Sequence, residues 1–178
     1  STDYCGSVVL PDGRVIFAPY SASNVGVFNP ATNQFSTIIP SSGTLAGGPG
    51  FFSGVLAPNG NVIFIANASV GVFNPETYAY TSVSTTAGFR GGVLLPNGNV
   101  VMVPQAATVV GIFDTQTLTY TNGSLNFGGF QGGVLLPTGN VVFIPYTMSV
   151  VCQYNPSTGV SMYTAHGQGT NAFSGGVL

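Results

Sequence analysis

The chain has 178 residues, enough for one domain with a sizeable core, yet only 3% are charged, against about 25% in an ordinary soluble domain. Arg14 and Arg90 stand against Asp3, Asp12, Glu76 and Asp114, and a formal net charge of −2 cannot neutralise a run of phosphates, which excludes nucleic acid as a partner. The hydrophobic 44% comes in runs shorter than the roughly 18 residues of a spanning helix or the ~9–11 of a spanning strand, which excludes membrane insertion.

In chain order, the first element is the apolar run Val8-Val9-Leu10, which enters the turn Pro11-Asp12-Gly13. The same pattern returns as Gly54-Val55-Leu56-Ala57-Pro58-Asn59-Gly60, Gly91-Gly92-Val93-Leu94-Leu95-Pro96-Asn97-Gly98 and Gly132-Gly133-Val134-Leu135-Leu136-Pro137-Thr138-Gly139. It begins a fifth time at Gly175-Gly176-Val177-Leu178. The turn glycines lie 47, 38 and 41 residues apart, the period of a unit that buries its apolar face only by stacking on a copy of itself. The repeats run about 4–50, 51–88, 89–129 and 130–172, with a surplus strand at 173–178, and together form a single repeat domain.

The second repeat shows the content of one unit: Val55-Leu56, Val62-Ile63-Phe64-Ile65, Val70-Gly71-Val72-Phe73 and Tyr78-Ala79-Tyr80-Thr81. These short β-branched or aromatic runs predict strands, and no stretch has helical spacing. The Pro-x-Gly turns join strand one to strand two through a positive-φ glycine. Asn29-Pro30-Ala31-Thr32, Asn74-Pro75-Glu76-Thr77, Asp114-Thr115-Gln116-Thr117 and Asn155-Pro156-Ser157-Thr158 place an Asx side chain at the start of the turn between strands three and four. Each repeat is therefore a four-stranded antiparallel meander, with strand one beginning shortly after Cys5, Ser53, Arg90 and Gln131. Val9, Leu56, Leu94 and Leu135 each precede their turn glycine by four residues and are expected at equivalent buried sites. The Gly-Gly pairs mark places where backbones crowd.

Units of this length and strand number predict an all-β, β-propeller-like fold of four blades plus the start of a fifth. The combined pattern, Leu-Pro-(Asp/Asn)-Gly-x-Val followed by Val-Gly-(Ile/Val)-Phe-(Asn/Asp)-Pro-x-Thr, resembles the Kelch-type repeat in its galactose-oxidase-like form over nearly the whole chain. It departs where that family ends strand two in paired glycines: here stand Ala18-Pro19, Ala66-Asn67, Val103-Pro104 and Ile144-Pro145. A copper-radical oxidase of that family needs two histidines and a crosslinked Tyr–Cys pair, and the chain has one histidine.

A meander places links one-to-two and three-to-four at one end of the sheet, and two-to-three and four-to-one at the other. The first set is nearly invariant here, whereas the second varies, as ligand-contacting loops do on a rigid scaffold. The candidate binding residues on that variable end are Tyr20, Asn67, Arg90, Gln105, Gln131, Tyr146 and His166. Aromatic faces beside Asn and Gln suit sugar rings; the plainer reading is that they cap the core. His166 has no acid near it in sequence, and no catalytic triad, metal spacing or phosphate-binding loop is spelled out. The chain is read as a non-enzyme without metal or cofactor.

Cys5 and Cys152 form either a disulfide or two free thiols, and their different places in the repeat argue against a bridge within one chain. Asn67-Ala68-Ser69 and Asn122-Gly123-Ser124 fit the N-glycosylation acceptor pattern. The chain begins at Ser1 without Met or a signal-like segment, which suggests a processed or excised piece. Two functions follow. One is a structural, self-associating protein of an extracellular or virion surface, partnered by its own copies or by further blades, because the strands lack charged guards. The other is a carbohydrate- or protein-binding module using the variable end.

Overall fold

The structure is a computed structural model describing residues 2–45, 50–171 and 173. Sixteen strands form four four-stranded antiparallel sheets, with no helix among the described residues. The first sheet holds β1 (Tyr4–Val9), β2 (Val15–Pro19), β3 (Val25–Asn29) and β4 (Gln34–Ile38). The second holds β5 (Phe51–Leu56), β6 (Val62–Ala66), β7 (Ser69–Phe73) and β8 (Tyr80–Ser84). The third holds β9 (Phe89–Leu94), β10 (Val100–Pro104), β11 (Val110–Asp114) and β12 (Thr119–Gly123), and the fourth β13 (Phe130–Leu135), β14 (Val141–Pro145), β15 (Val150–Tyr154) and β16 (Ser161–Ala165). Every sheet is a simple meander. The first two belong to one compact unit, 1–84, and the last two to a second, 85–178. The expected surplus strand lies, Phe173 apart, outside the described residues.

Both turn classes form as their chemistry dictates. Gly13, Gly60, Gly98 and Gly139 have φ of 89°, 83°, 87° and 83°, and the Gly13 N–H donates to the Leu10 carbonyl at 2.9 Å. At the three-to-four turns, Asn74 Oδ1 accepts the N–H groups of Glu76 and Thr77, both at 2.9 Å. Asp114 does the same for Gln116 at 2.8 Å and Thr117 at 2.9 Å. The backbone N–H groups of Thr117 and then Gln116 hold the Asp114 carboxyl below its ordinary range.

Strand one begins at Tyr4, Phe51, Phe89 and Phe130, one or two residues ahead of Cys5, Ser53, Arg90 and Gln131, after which the sequence places it, and four ahead of the apolar runs. An aromatic residue pairs across a bulge with the end of strand two: Tyr4 with Pro19, Phe51 with Ala66, Phe89 with Pro104 and Phe130 with Pro145. Phe51, Phe89 and Phe130 are fully buried. In the first three sheets the anchor lies against the strand-three glycine, where a side chain would crowd it: a Cβ on Gly71 would stand 2.6 Å from Phe51 Cζ. The fourth sheet carries Cys152 at that position, buried in one core with Phe130, Phe143 and Tyr154. Burial pushes the Cys152 thiol up to about 11. Cys5 is half-buried, and both cysteines are free thiols. In the native protein a thiol reagent at neutral pH is therefore expected to modify Cys5 first and leave Cys152 untouched until denaturant is added. Mass spectrometry of the labelled peptides checks this, and equal labelling of both would contradict the packing.

Val9, Leu56, Leu94 and Leu135 are equivalent, each pairing with the first residue of strand two. They are not buried as expected: Val9 is 63% exposed and the three leucines are half-buried. The alternation of a strand turns Val8 and Leu10, and likewise Val93 and Leu95, into the core and the residue between them outward. The crowding at the Gly-Gly pairs is real. Within the first unit a Cβ on Gly54 would stand 2.6 Å from Val8 Cγ2, and within the second one on Gly133 would stand 2.8 Å from Val93 Cγ2.

Candidate ligand site at the loop end

The links between strands two and three, and those from one sheet to the next, leave from a common end of each sheet, here called the loop end. The residue before strand one organises it with its carbonyl. The Asp3 carbonyl accepts the N–H groups of Tyr20, Ser21 and Ala22, that of Gly88 accepts Gln105, Ala106 and Ala107, and that of Gly129 accepts Tyr146 and Thr147. A second tie runs to the following segment: Gly50 N–H donates to the Tyr20 carbonyl at 2.9 Å, Gly129 to Gln105 at 2.7 Å, and Asn171 to Tyr146 at 2.5 Å. Tyr20, Gln105 and Tyr146 thus occupy one repeated position, the first residue after strand two, and Asn67 is its counterpart in the second sheet.

Arg90 and Gln131 occupy a different repeated position. In each strand one the register shifts just after the anchoring aromatic, so that Cys5, Phe52, Arg90 and Gln131 fall in bulges. A bulge leaves its residue out of the pairing and re-aims its side chain. In the second unit β9 packs against β13, and a Cβ on Gly91, the residue after Arg90, would stand 3.6 Å from the Gln131 carbonyl oxygen. Both residues are half-buried. The Gln131 Oε1 atom is buried and accepts no hydrogen bond, at a cost of about 1–3 kcal/mol for a polar atom in that state. The Ser53 hydroxyl is in the same condition in the first unit. Arg90 and Asp3 are the charged side chains of this end, since Asp12, Arg14, Glu76 and Asp114 stand at the opposite one.

The remaining candidates separate into framework and surface. Tyr20 packs its ring on Phe52, centroids 5.4 Å apart, which favours the core-capping reading for that residue. His166 is held by two contacts: its Nδ1 accepts the Gln168 N–H at 3.1 Å and its Nε2 lies 3.1 Å from the Met148 carbonyl oxygen. Those partners require the Nε2–H tautomer, so His166 works as a clasp between the β14–β15 link and the segment after β16, with Phe173 against its ring at 5.1 Å. Asn67 and Asn122 are exposed, and Asn122 Oδ1 accepts from Tyr120 and, at 3.3 Å, from Thr86. In the second unit the structure sets Gly91, next to Arg90, against the Gln131 main chain, and ties Tyr146 to Asn171 and His166 to Met148 in one loop cluster. Tyr20 and Asn67 belong to the first unit. Ser53 and Phe52 were not among the candidates; the signal for them is their place just after the aromatic anchor Phe51, in the positions that Cys5 and Gly6 hold in the first sheet.

No protein-family model and no curated protein matches the chain. Solved structures do resemble it. Virginiamycin B lyase from Staphylococcus aureus superposes with a TM-score of 0.77 at 14% identity, over 93% of this chain and 56% of that one. The WD40 repeats of RRP9 give 0.75 at 10% identity, over 94% and 52%. An auxiliary nutrient binding protein from Bacteroides thetaiotaomicron gives 0.68 at 11% identity, over 96% and 43%. The chain thus spans about half the length of these proteins. The resemblance establishes a β-propeller-like fold and does not single out the Kelch type. It also corrects the reading of the chain as a non-enzyme, because a lyase is built on this architecture. The reading failed for a physical reason: propeller chemistry resides in a few loop side chains gathered from distant repeats, so the lack of a contiguous motif excludes nothing. Across these neighbours the fold occurs in a lyase, a WD40 repeat domain and a nutrient-binding protein. A fold shared at such low identity establishes architecture alone.

Proposed function

We propose that the chain is a recognition module that holds a hydroxyl-rich ligand, a glycan, at its loop end, with Gln131 as a hydrogen-bond acceptor and Arg90, Gln105 and Tyr146 around it. The observation that carries this reading is the buried, unpartnered Oε1 of Gln131 on a bulge. A small movement of the loop end would open this acceptor to a ligand and relieve the cost, and a sugar hydroxyl is a donor of the right size and neutrality. The test is a glycan array with the wild type and with Gln131→Leu, which removes the acceptor but keeps the volume. The glycans held at the loop end should be lost in the variant, whatever is bound elsewhere on the chain, while its melting temperature stays level or rises. A wild type that binds no glycan, or a variant that binds as well, would refute the reading.

A second reading, self-association at a secreted or virion surface, rests on the outermost strands. β4, β8, β12 and β16 contain no charged residue, and beside them Phe35, Ile39, Val160 and Met162 are 54%, 80%, 57% and 58% exposed. Unpaired edges without lysine or glutamate favour pairing with another copy or with further blades of the same kind. Glycans on Asn67 and Asn122 would supply the solubility that charge does not. The signature of Kelch-type repeats in the sequence is compatible with either use.

A further inference from the structure

The end of the sheets opposite the loop end looks purely structural in the sequence, being made of invariant turns. In the second unit it nevertheless contains a cleft of about 350 Å³, between the turns of the third and fourth sheets. Leu95 and Ile112 supply its apolar part, Pro96 and Pro156 are rigid rings on its wall, and Asn97, Asn99 and Ser157 bring amides and a hydroxyl. Its size falls in the range of small-molecule sites. No titratable side chain lines it.

The equivalent turns of the first unit show what the cleft lacks. Asn97 corresponds to Asp12, Asn99 to Arg14 and Ser157 to Glu76, by their places in Pro-x-Gly-x and Asn-Pro-x-Thr. There Arg14 Nε reaches Asp12 Oδ2 at 2.7 Å. The same backbone positions thus carry charge in one unit and only neutral hydrogen-bonding groups in the other. The neutral set is also ordered in advance: Asn97 Oδ1 accepts the Asn99 N–H at 3.1 Å, which fixes the Asn97 side chain and leaves its amide nitrogen to donate.

We propose that this cleft is a second binding site, separate from the loop end, for an uncharged cyclic polyol of monosaccharide size. Apolar walls accept the C–H face of a pyranose, and amides and a hydroxyl meet its rim of hydroxyl groups. An ionic ligand finds no counter-charge here and loses its hydration on entry.

Saturation-transfer NMR with methyl β-galactoside and N-acetylglucosamine, and with glucuronate and glucosamine as charged comparators, tests the proposal. The variants are Asn97→Asp/Asn99→Arg/Ser157→Glu, built from residues the chain already carries at the equivalent turns, and Gln131→Leu. At least one neutral sugar should bind. Its affinity should fall at least about tenfold in the triple variant and persist in Gln131→Leu, which separates this site from the loop-end reading. Absence of neutral-sugar binding, equal binding by the triple variant, or charged sugars binding as tightly as neutral ones would overturn it.

Discussion

Truncation of Phe130 to alanine should cost about 3–5 kcal/mol, the range for deleting a large aromatic from a core that cannot collapse around the gap. Phe130 has no exposed surface and packs its ring at a tilt against Phe143 and Phe127, centroids 5.5 Å and 6.1 Å away, in the same core as Cys152. Its position next to a bulge holds the strand that carries Gln131, so glycan binding should disappear along with stability. Chemical denaturation reads the loss. A decrease below about 1 kcal/mol would mean that the aromatic before each strand one is filler rather than anchor.

Replacement of Gly88 by alanine should be nearly as damaging, on the order of 3 kcal/mol, because two penalties coincide there. Its φ is +109°, which an L side chain rarely adopts, and a Cβ would stand 2.2 Å from the backbone nitrogen of Ala107. The displaced group is main chain, so no rotamer change relieves the clash. Gly139→Ala is the matched control: φ is +83° and nothing lies within 4 Å of its Cβ position, so strain alone remains, about 1–2 kcal/mol. Hydrogen exchange adds a local readout. The amides of Gln105 and Ala106, which donate to the Gly88 carbonyl, should lose protection in Gly88→Ala and keep it in Gly139→Ala.

The meander and both turn classes were legible in the residues because Pro-x-Gly and Asx-x-x-Thr have local chemistry that no distant contact overrides. Burial within strand one was not. Three consecutive apolar residues, Val93-Leu94-Leu95, conceal which of them faces inward, and only pairing with β10 and packing against β13 decide it. The candidate site was half legible. Variable links pointed to Gln105 and Tyr146, and the residue before Gly-Gly pointed to Arg90 and Gln131. The bulge that sets the last two apart depends on a register shift between strands, and the state of Gln131 Oε1 depends on what surrounds it in space. The cleft at the opposite end was missed for a related reason: the turns that form it have the same shape in both units, and only the side chains facing across the gap between two sheets differ.

The carbonyls of Asp3, Gly88 and Gly129 tether the links after strand two through main-chain atoms alone. A tether of that kind is indifferent to which side chain the tethered residue carries. Positions 105 and 146 can therefore exchange Tyr for Gln, or for most other residues, while the backbone stays where it is; Tyr20, whose ring packs on Phe52, is the exception. Side chains at the loop end can change from one copy of the unit to the next without the scaffold having to be repaired at each step. An engineer wishing to retarget the protein would randomise positions 105 and 146 first and leave Gly88 and Gly129, which hold them, alone.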